Sequence, residues 1–348
     1  MRVAVDAMGG DHAPGAIVRG AVQARSSEGG AMADEVVLVG DRQAIEAEMA
    51  SCPGDRTGIA IEHASQTVAM DESPVRALRD KPDSSISVAV RMMAAGRVGA
   101  VVSAGNTGAV VAATIVLSGL LHGIKRPGIA VILPHAAGQT VIIDAGANVK
   151  CKPYHLYQYG VMGTIYAQTA LNLATPRVGL LTVGEEDAKG NDLVKGAHRL
   201  LKVSGLAFVG NIEGCDIHSG ICDVVVCDGF TGNVVLKLVE AMGKNLLEGI
   251  QRELTALDAE GARQVKAAVG RVMARHDPST YGGAPLLGIN GICIICHGRS
   301  SERAIVNAIR LATTFNAGNV NNRIVEDLEA RGVHRWSGIV SERGKGSD

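Results

Sequence analysis

The sequence predicts an α/β fold, a doubly wound, mostly parallel sheet with helices on both faces, plus a helical hairpin. Three observations predict the layout. Short β-rich runs alternate with helical stretches along the chain. Most of those runs are continuously apolar, as strands covered on both faces must be. The 44 glycines gather at the ends of the apolar runs, where the chain must turn tightly. The expected strands are Arg2 to Asp6, Val36 to Val39, Ile59 to Glu62, Ala100 to Ser103, Ile129 to Leu133, Thr140 to Asp144, Val178 to Val183, Leu206 to Val209, Val224 to Cys227 and Ile292 to Cys296. The helical stretches are Pro14 to Ala24, Ser84 to Ala95, Asn106 to Leu117, Pro153 to Leu173, Asp192 to Lys202 and Gly232 to Leu254. With 348 residues, 47% of them hydrophobic, the chain can fill one large core. We place that domain at 1–328 and expect a mobile tail at 329–348.

The rhythm breaks between Gly243 and Arg275. Leu246, Leu247, Ile250 and Leu254 recur at helical spacing, and Leu257, Val265, Ala268, Val269 and Val272 follow after a turn expected near Gly261. This pattern predicts a helical hairpin at about 243–276. Its two apolar stripes are expected to pack onto the main body. The alternative is a protruding hairpin that meets a membrane or an acyl chain, with Arg252, Arg263, Lys266, Arg271 and Arg275 open to anionic partners.

Composition narrows the function. Lys+Arg 34 against Asp+Glu 35 leaves a net charge of -1, so no global field draws the protein to nucleic acid or an anionic membrane. Aromatic residues at 3% provide too few stacking platforms for single-stranded nucleic acid. Seven cysteines scattered through apolar segments read as reduced thiols of a cytoplasmic protein, peripheral membrane contact being left open. Cys293 and Cys296 fall in one apolar strand run, on opposite faces and without a second ligand pair, so no metal site is expected. Met1 to Asp6 reads as a strand and not as a signal peptide, and no stretch reaches the roughly 18–20 apolar residues that span a bilayer.

Polar, glycine-rich loops follow one strand after another. Asp6, Gly9, Gly10 and Asp11 lie in the first; Gly105, Asn106 and Thr107 in the second; Asp144 and Asn148 in the third; Gly184, Glu185 and Asn191 in the fourth; Asp228, Thr231 and Gly232 in the last. Glycine lets the backbone approach a ligand, and amides at a following helix start bind anions. Any single loop is equally well explained as a turn or a helix cap. Together they predict a binding cleft for a small anion, gathered at one carboxyl rim of the parallel sheet. No GxGxxG or Walker spacing accompanies them, so no nucleotide cofactor is expected.

The residues Asp6-Ala7-Met8-Gly9-Gly10-Asp11, Ser103-Ala104-Gly105-Asn106-Thr107-Gly108, Asp144-Ala145-Gly146-Ala147-Asn148, Gly184-Glu185-Glu186 with Lys189-Gly190-Asn191, Gly210-Asn211-Ile212-Glu213-Gly214 and Asp228-Gly229-Phe230-Thr231-Gly232-Asn233 stand in one order. In this they resemble the bacterial phosphate acyltransferase (PlsX) family of phospholipid synthesis, over residues 1 to about 320. The resemblance implies a homodimer that moves a fatty acyl group from acyl carrier protein to inorganic phosphate. It also implies a fold similar to the isocitrate and isopropylmalate dehydrogenases and to phosphotransacetylase, and a membrane glycerol-phosphate acyltransferase as the next user of the product. It adds Asn211 to the binding candidates and marks Lys189 and Asn233 as the active polar pair.

For that reaction, Lys189 is expected to offset phosphate charge and Asn233 to donate a hydrogen bond to phosphate or to the developing oxyanion. The plainer alternatives are a solvated loop charge and a helix cap. Asp6, Asp11, Asp144 and Asp228 are expected to orient loops, since a carboxylate repels a phosphate dianion. His12 and His297 read as buried, hydrogen-bonded side chains before catalytic ones, and Cys227 as core before nucleophile. Arg263, Lys266 and Arg271 are the candidates for docking the acidic carrier. The rivals are a phosphotransacetylase-like enzyme using acyl-CoA, a decarboxylating dehydrogenase of the same fold, and a non-enzymatic membrane scaffold.

Overall fold

The continuously apolar runs become strands whose two faces are both covered, which is why Val3 to Val5 and Val224 to Val226 are almost fully buried. The computed structural model describes residues 1–26, 33–254, 259–276 and 278–332. Its strands are β1 (Arg2–Asp6), β2 (Glu35–Gly40), β3 (Ile59–His63), β4 (Ala100–Ser103), β5 (Gly128–His135), β6 (Gly138–Ile143), β7 (Arg177–Leu181), β8 (Ala207–Ile212), β9 (Val224–Val226), β10 (Ala284–Leu287) and β11 (Ile292–Ile295). The helices are α1 (Gly15–Ser26), α2 (Arg42–Ser51), α3 (Pro74–Asp80), α4 (Ser85–Ala94), α5 (Thr107–Ala113), α6 (Pro153–Ala170), α7 (Asp192–Lys202), α8 (Gly229–Leu254), α9 (Ala259–His276), α10 (Glu302–Ala317) and α11 (Val320–Ala330).

All strands join one sheet in the order β3-β2-β1-β4-β11-β10-β5-β6-β9-β7-β8. It is a mixed sheet, parallel through most of its ladders. The exceptions are the antiparallel pairs β11–β10, β10–β5 and β5–β6 in the middle. An odd number of reversals leaves β6, β7, β8 and β9 running opposite to β1, β2, β3, β4 and β11. This corrects the expected single rim: the glycine loops leave two carboxyl rims, one per block. The cause is local. β5 and β6 pair as a tight hairpin, His135 against Gly138, so the chain enters the second block already reversed.

The hairpin also departs from expectation. α8 begins at Gly229, three residues before the expected Gly232, and its only buried residues are Gly229 and Gly232. Phe230, Val234, Leu238, Met242 and Leu246 are each half exposed or more. The first stripe therefore does not pack onto the body over most of its length. On α9, Val265 and Val272 are exposed as well. Gly261, the expected turn position, lies inside α9; residues 255–258, Leu257 among them, are outside the described residues, as is the side chain of Arg275. At the other boundary α11 continues to Ala330, past the expected start of the tail, while 333–348 lie outside the described residues. Among the described residues no helix is long and apolar enough to cross a membrane.

Candidate active site

In the first block, the loop after β1 and the loop after β4 interlock. Asp6 is fully buried and accepts from the Ser103 hydroxyl (2.6 Å) and the Met8 amide (3.2 Å). A side chain at Gly9 would strike the Asp6 carboxylate and the Gly105 amide, so glycine is what allows the two loops to touch. Gly10 has φ +100 and packs on the Gly298 carbonyl, where Asp11 N also donates (2.7 Å). Asp11 and Thr107 are exposed on this rim. Asn106 is fully used: Oδ1 caps α5 by accepting from Ala109 N, and Nδ2 donates to the carbonyls of Ala69, Met70 and Glu72.

The second block repeats the arrangement with its own carboxylate. Asp144 accepts from the amides of Ile129 (3.0 Å), Gly146 (3.1 Å), Ala147 (2.9 Å) and Asn148 (2.8 Å). Asn148 Nδ2 donates to the Pro127 carbonyl, to Asp144 and to the Tyr159 hydroxyl. A Cβ on Gly232 would run into the Asp144 carbonyl, so the start of α8 lies directly against this loop. Asp228 accepts from Phe230 N, Thr231 N and the Thr231 hydroxyl. Burial pushes the Asp6 and Asp144 carboxyls above the usual range, against the pull of their donors. Three of the four aspartates thus orient loops. Asp11 has no side-chain hydrogen bond among the described contacts.

Lys189 and Asn233 stand apart from these tied-down side chains. Asn233 is no cap: it lies inside the first turns of α8, exposed, with Oδ1 3.5 Å from where a Cβ of Gly146 would be. Lys189 is half exposed and faces Glu186 at 3.8 Å, a loose surface pair. Their loops leave β7 and β9, which are adjacent and parallel with Leu180 opposite Val226. Gly184 is buried and would crowd the Lys189 stem if it carried a side chain, while Glu185 is exposed. Asn191 caps α7 by accepting from Val194 N. Asn211 is buried, accepts from His198 Nδ1 (2.9 Å) and donates to the Glu186 carbonyl (2.7 Å), so it fixes the Lys189 loop from beneath.

His12, two residues after Gly10, and His297, directly before Gly298, are exposed and not buried as expected, while His297 Nδ1 accepts from Arg299 N (3.1 Å). Cys227 is buried core, and burial pushes its thiol well above the ordinary value, the reverse of what an activated nucleophile needs. Cys293 and Cys296 are also buried, and no group of metal-ligating side chains occurs among the described residues. The exposed cations Arg263, Lys266 and Arg271 lie along α9. Two features escaped the sequence reading. One is the 69–72 loop held by Asn106; the pair Ser73-Pro74, a helix-start signal ahead of α3, pointed to it. The other is His198, which gave no signal beyond an apolar-face histidine.

The sequence profile of the fatty acid synthesis protein family matches residues 1–323. A phosphate acyltransferase of Nitratidesulfovibrio vulgaris is 44% identical over 329 residues, 94% of each chain. One from Heliobacterium modesticaldum is 49% identical over 315 residues, 90% of this chain and 93% of that one. Among solved structures, a phosphotransacetylase from Streptococcus pyogenes superposes with a TM-score of 0.62 at 16% identity, over 90% of this chain and 93% of that one. The EutD phosphotransacetylase from Staphylococcus aureus gives 0.59 at 12%, over the same shares. At such identities the two structures speak for the fold.

Proposed function

The chain belongs to the fatty acid synthesis protein family and is an acyltransferase; from that premise we propose that it moves a fatty acyl group from acyl carrier protein to orthophosphate, releasing acyl phosphate for phospholipid synthesis. A phosphate oxygen attacks the thioester carbonyl, the new C–O bond forms, the C–S bond breaks, and the phosphate's proton ends on the departing thiol. Orthophosphate is already ionised at neutral pH, so the protein's task is to position it and to stabilise the oxyanion.

The observation that carries this reading is the contrast among the rim side chains. The asparagines at 106, 148, 191 and 211 are consumed by the protein's own backbone. Lys189 and Asn233, leaving neighbouring strands, are not. An ammonium held only by a loose surface pair and a carboxamide next to Gly146 suit a phosphate dianion and a developing oxyanion. A buried thiol at Cys227 disfavours a covalent acyl-cysteine. The exposed apolar stripe of α8 supports the expected homodimer, in which a second copy covers it.

The test is whether purified protein releases free carrier thiol from an acylated carrier, and does so only when phosphate is present. Release without phosphate, or faster turnover of acyl-CoA at equal concentration, would move the assignment to a hydrolase or to a phosphotransacetylase-like enzyme.

A further inference from the structure

We propose that the acidic acyl carrier docks on a cationic patch around the first turn of α6, formed by Lys125, Arg126, Lys150, Lys152 and Arg199, and not on the α9 hairpin cations. The inference rests on the carrier-dependent activity proposed above and places its partner. All five side chains are exposed, and none forms an ion pair among the described residues.

Several contacts bring them together. Asn148 Nδ2 donates to the Pro127 carbonyl at 2.6 Å, which fastens the segment after Arg126 to the loop that continues into Lys150 and Lys152. Lys125 N donates to Gln158 Oε1 at 3.0 Å, so the same segment lies along α6. Arg126 and Lys152 both act electrostatically on His155, in the first turn of α6. Gly196 of α7 packs on Pro153, and the Arg199 guanidinium lies 3.9 Å from where a Cβ of Gly196 would be.

The surroundings contain little to neutralise this charge. Between Leu121 and His155 the one acidic residue is Asp144, which is buried and occupied by amides. Of the neighbouring acids, Asp187 pairs with Lys202 at 2.6 Å and faces His198 Nε2 at 3.3 Å, Glu186 faces Lys189 at 3.8 Å, and Asp228, whose charge reaches Cys151, is occupied by Phe230 N, Thr231 N and the Thr231 hydroxyl. The patch also surrounds the N-terminus of an 18-residue helix, whose dipole adds positive potential. In a protein of net charge -1, such a local excess favours a strongly acidic partner and steers its approach. An anionic membrane is disfavoured, because the long exposed apolar stripe is on α8, which packs with the α5 layer on the opposite face of the sheet from α6. Position supports the carrier. Lys150 and Lys152 continue the Asn148 loop, and Arg199 lies on α7, the helix that follows the Lys189 loop, so a carrier bound there would hold its thioester near the proposed transfer site.

The experiment compares Arg126→Glu/Lys152→Glu and Arg199→Glu with an Arg263→Glu/Lys266→Glu/Arg271→Glu variant at low salt. Direct binding of acylated carrier is measured together with phosphate-dependent turnover of acyl carrier and of uncharged acyl-pantetheine. The patch variants are expected to bind carrier on the order of tenfold more weakly, through KM and with a reduced salt dependence, while acyl-pantetheine turnover stays at the parent rate. Unchanged carrier binding by the patch variants, or a loss confined to the α9 variant, overturns the proposal. So does a loss of binding to anionic vesicles with carrier binding intact. Parent protein that binds carrier through the patch but never turns it over would instead refute the proposed activity.

Discussion

Lys189 and Asn233 differ from the residues around them in having almost nothing else to hold. Separate Lys189→Ala and Asn233→Ala variants should therefore melt with the parent, since an exposed pair at 3.8 Å contributes little to stability. Their turnover should fall about 10²–10³-fold, the loss typical of one oxyanion donor. Parent-like rates in both would remove them from the mechanism. His155 gives a second residue-scale prediction. Burial first, then Arg126 and Lys152, depress it from 6.5 to about 4, and its Nδ1 accepts from Lys152 N, which only the unprotonated nitrogen can do. A depressed histidine favours folding above the unfolded value and loses that contribution as pH falls from 6.5 toward about 4, by about 3 kcal/mol at most. His155→Gln should flatten acid destabilisation in that window, measured by denaturant midpoints; an unchanged slope refutes it. The sequence identified these rim polar residues but not their division of labour. Asn106 and Asn211 look like ligand groups because their partners, Met70 and His198, are remote along the chain or carry no motif.

At the scale of elements, legibility followed periodicity. β1, β4 and α7 fall where the apolar runs and caps placed them, to within a residue, because each run is bounded by a clear turn or by Asn191. β10 was missed: Ala284–Leu287 is short, contains Pro285 and follows two glycines with positive φ, a pattern that reads as loop until pairing with β11 and β5 supplies its ladder. α10 was overlooked despite a Ser301 cap and a buried stripe including Ile305 and Ile309. α8 starts three residues ahead of the expected Gly232 because Asp228-Gly229 looks like a turn, yet Gly229 and Gly232 both permit close approach to Asp144. Its exposed ridge recurs every four residues from Phe230 to Leu246, which an isolated chain would not leave open to water at that length. Leu238→Glu with Leu246→Glu should shift the protein from dimer to monomer by light scattering while far-ultraviolet helicity is kept. A parent that is monomeric at micromolar concentration would refute the reading of a second copy as its cover.

For the whole molecule, the question is how two carboxyl rims facing opposite ways along one sheet can serve one reaction. Sheet twist supplies a physical answer. Neighbouring strands rotate by about 20–25°, so the five steps from β4 to β9 turn the second block by about 100–125°. Two directions opposed by pairing then diverge by only about 55–80°, and the rims lean toward a common side across roughly 24 Å of sheet, at about 4.8 Å per strand. Packing agrees: Ala145, Ala147 and Leu236 of the second block join the apolar layer that α4 and α5 form over the first. On the proposed function, two ligands side by side, phosphate on glycine amides and a carrier-borne acyl chain, would span such a separation better than one small molecule. Occupying both should tie the blocks together, whereas either alone should leave one rim open. With phosphate and a carrier acylated through a non-cleavable thioether, amide hydrogen exchange should therefore slow at 9–11 and 105–109 as well as at 145–149 and 229–233. At ligand near 100 times its dissociation constant, the available stabilisation is about 2.7 kcal/mol, enough for roughly a hundredfold slowing of amides that open by separating the blocks. Protection confined to the second block would mean that transfer is completed there, leaving the Asp6 and Gly105 loops with a purely structural task.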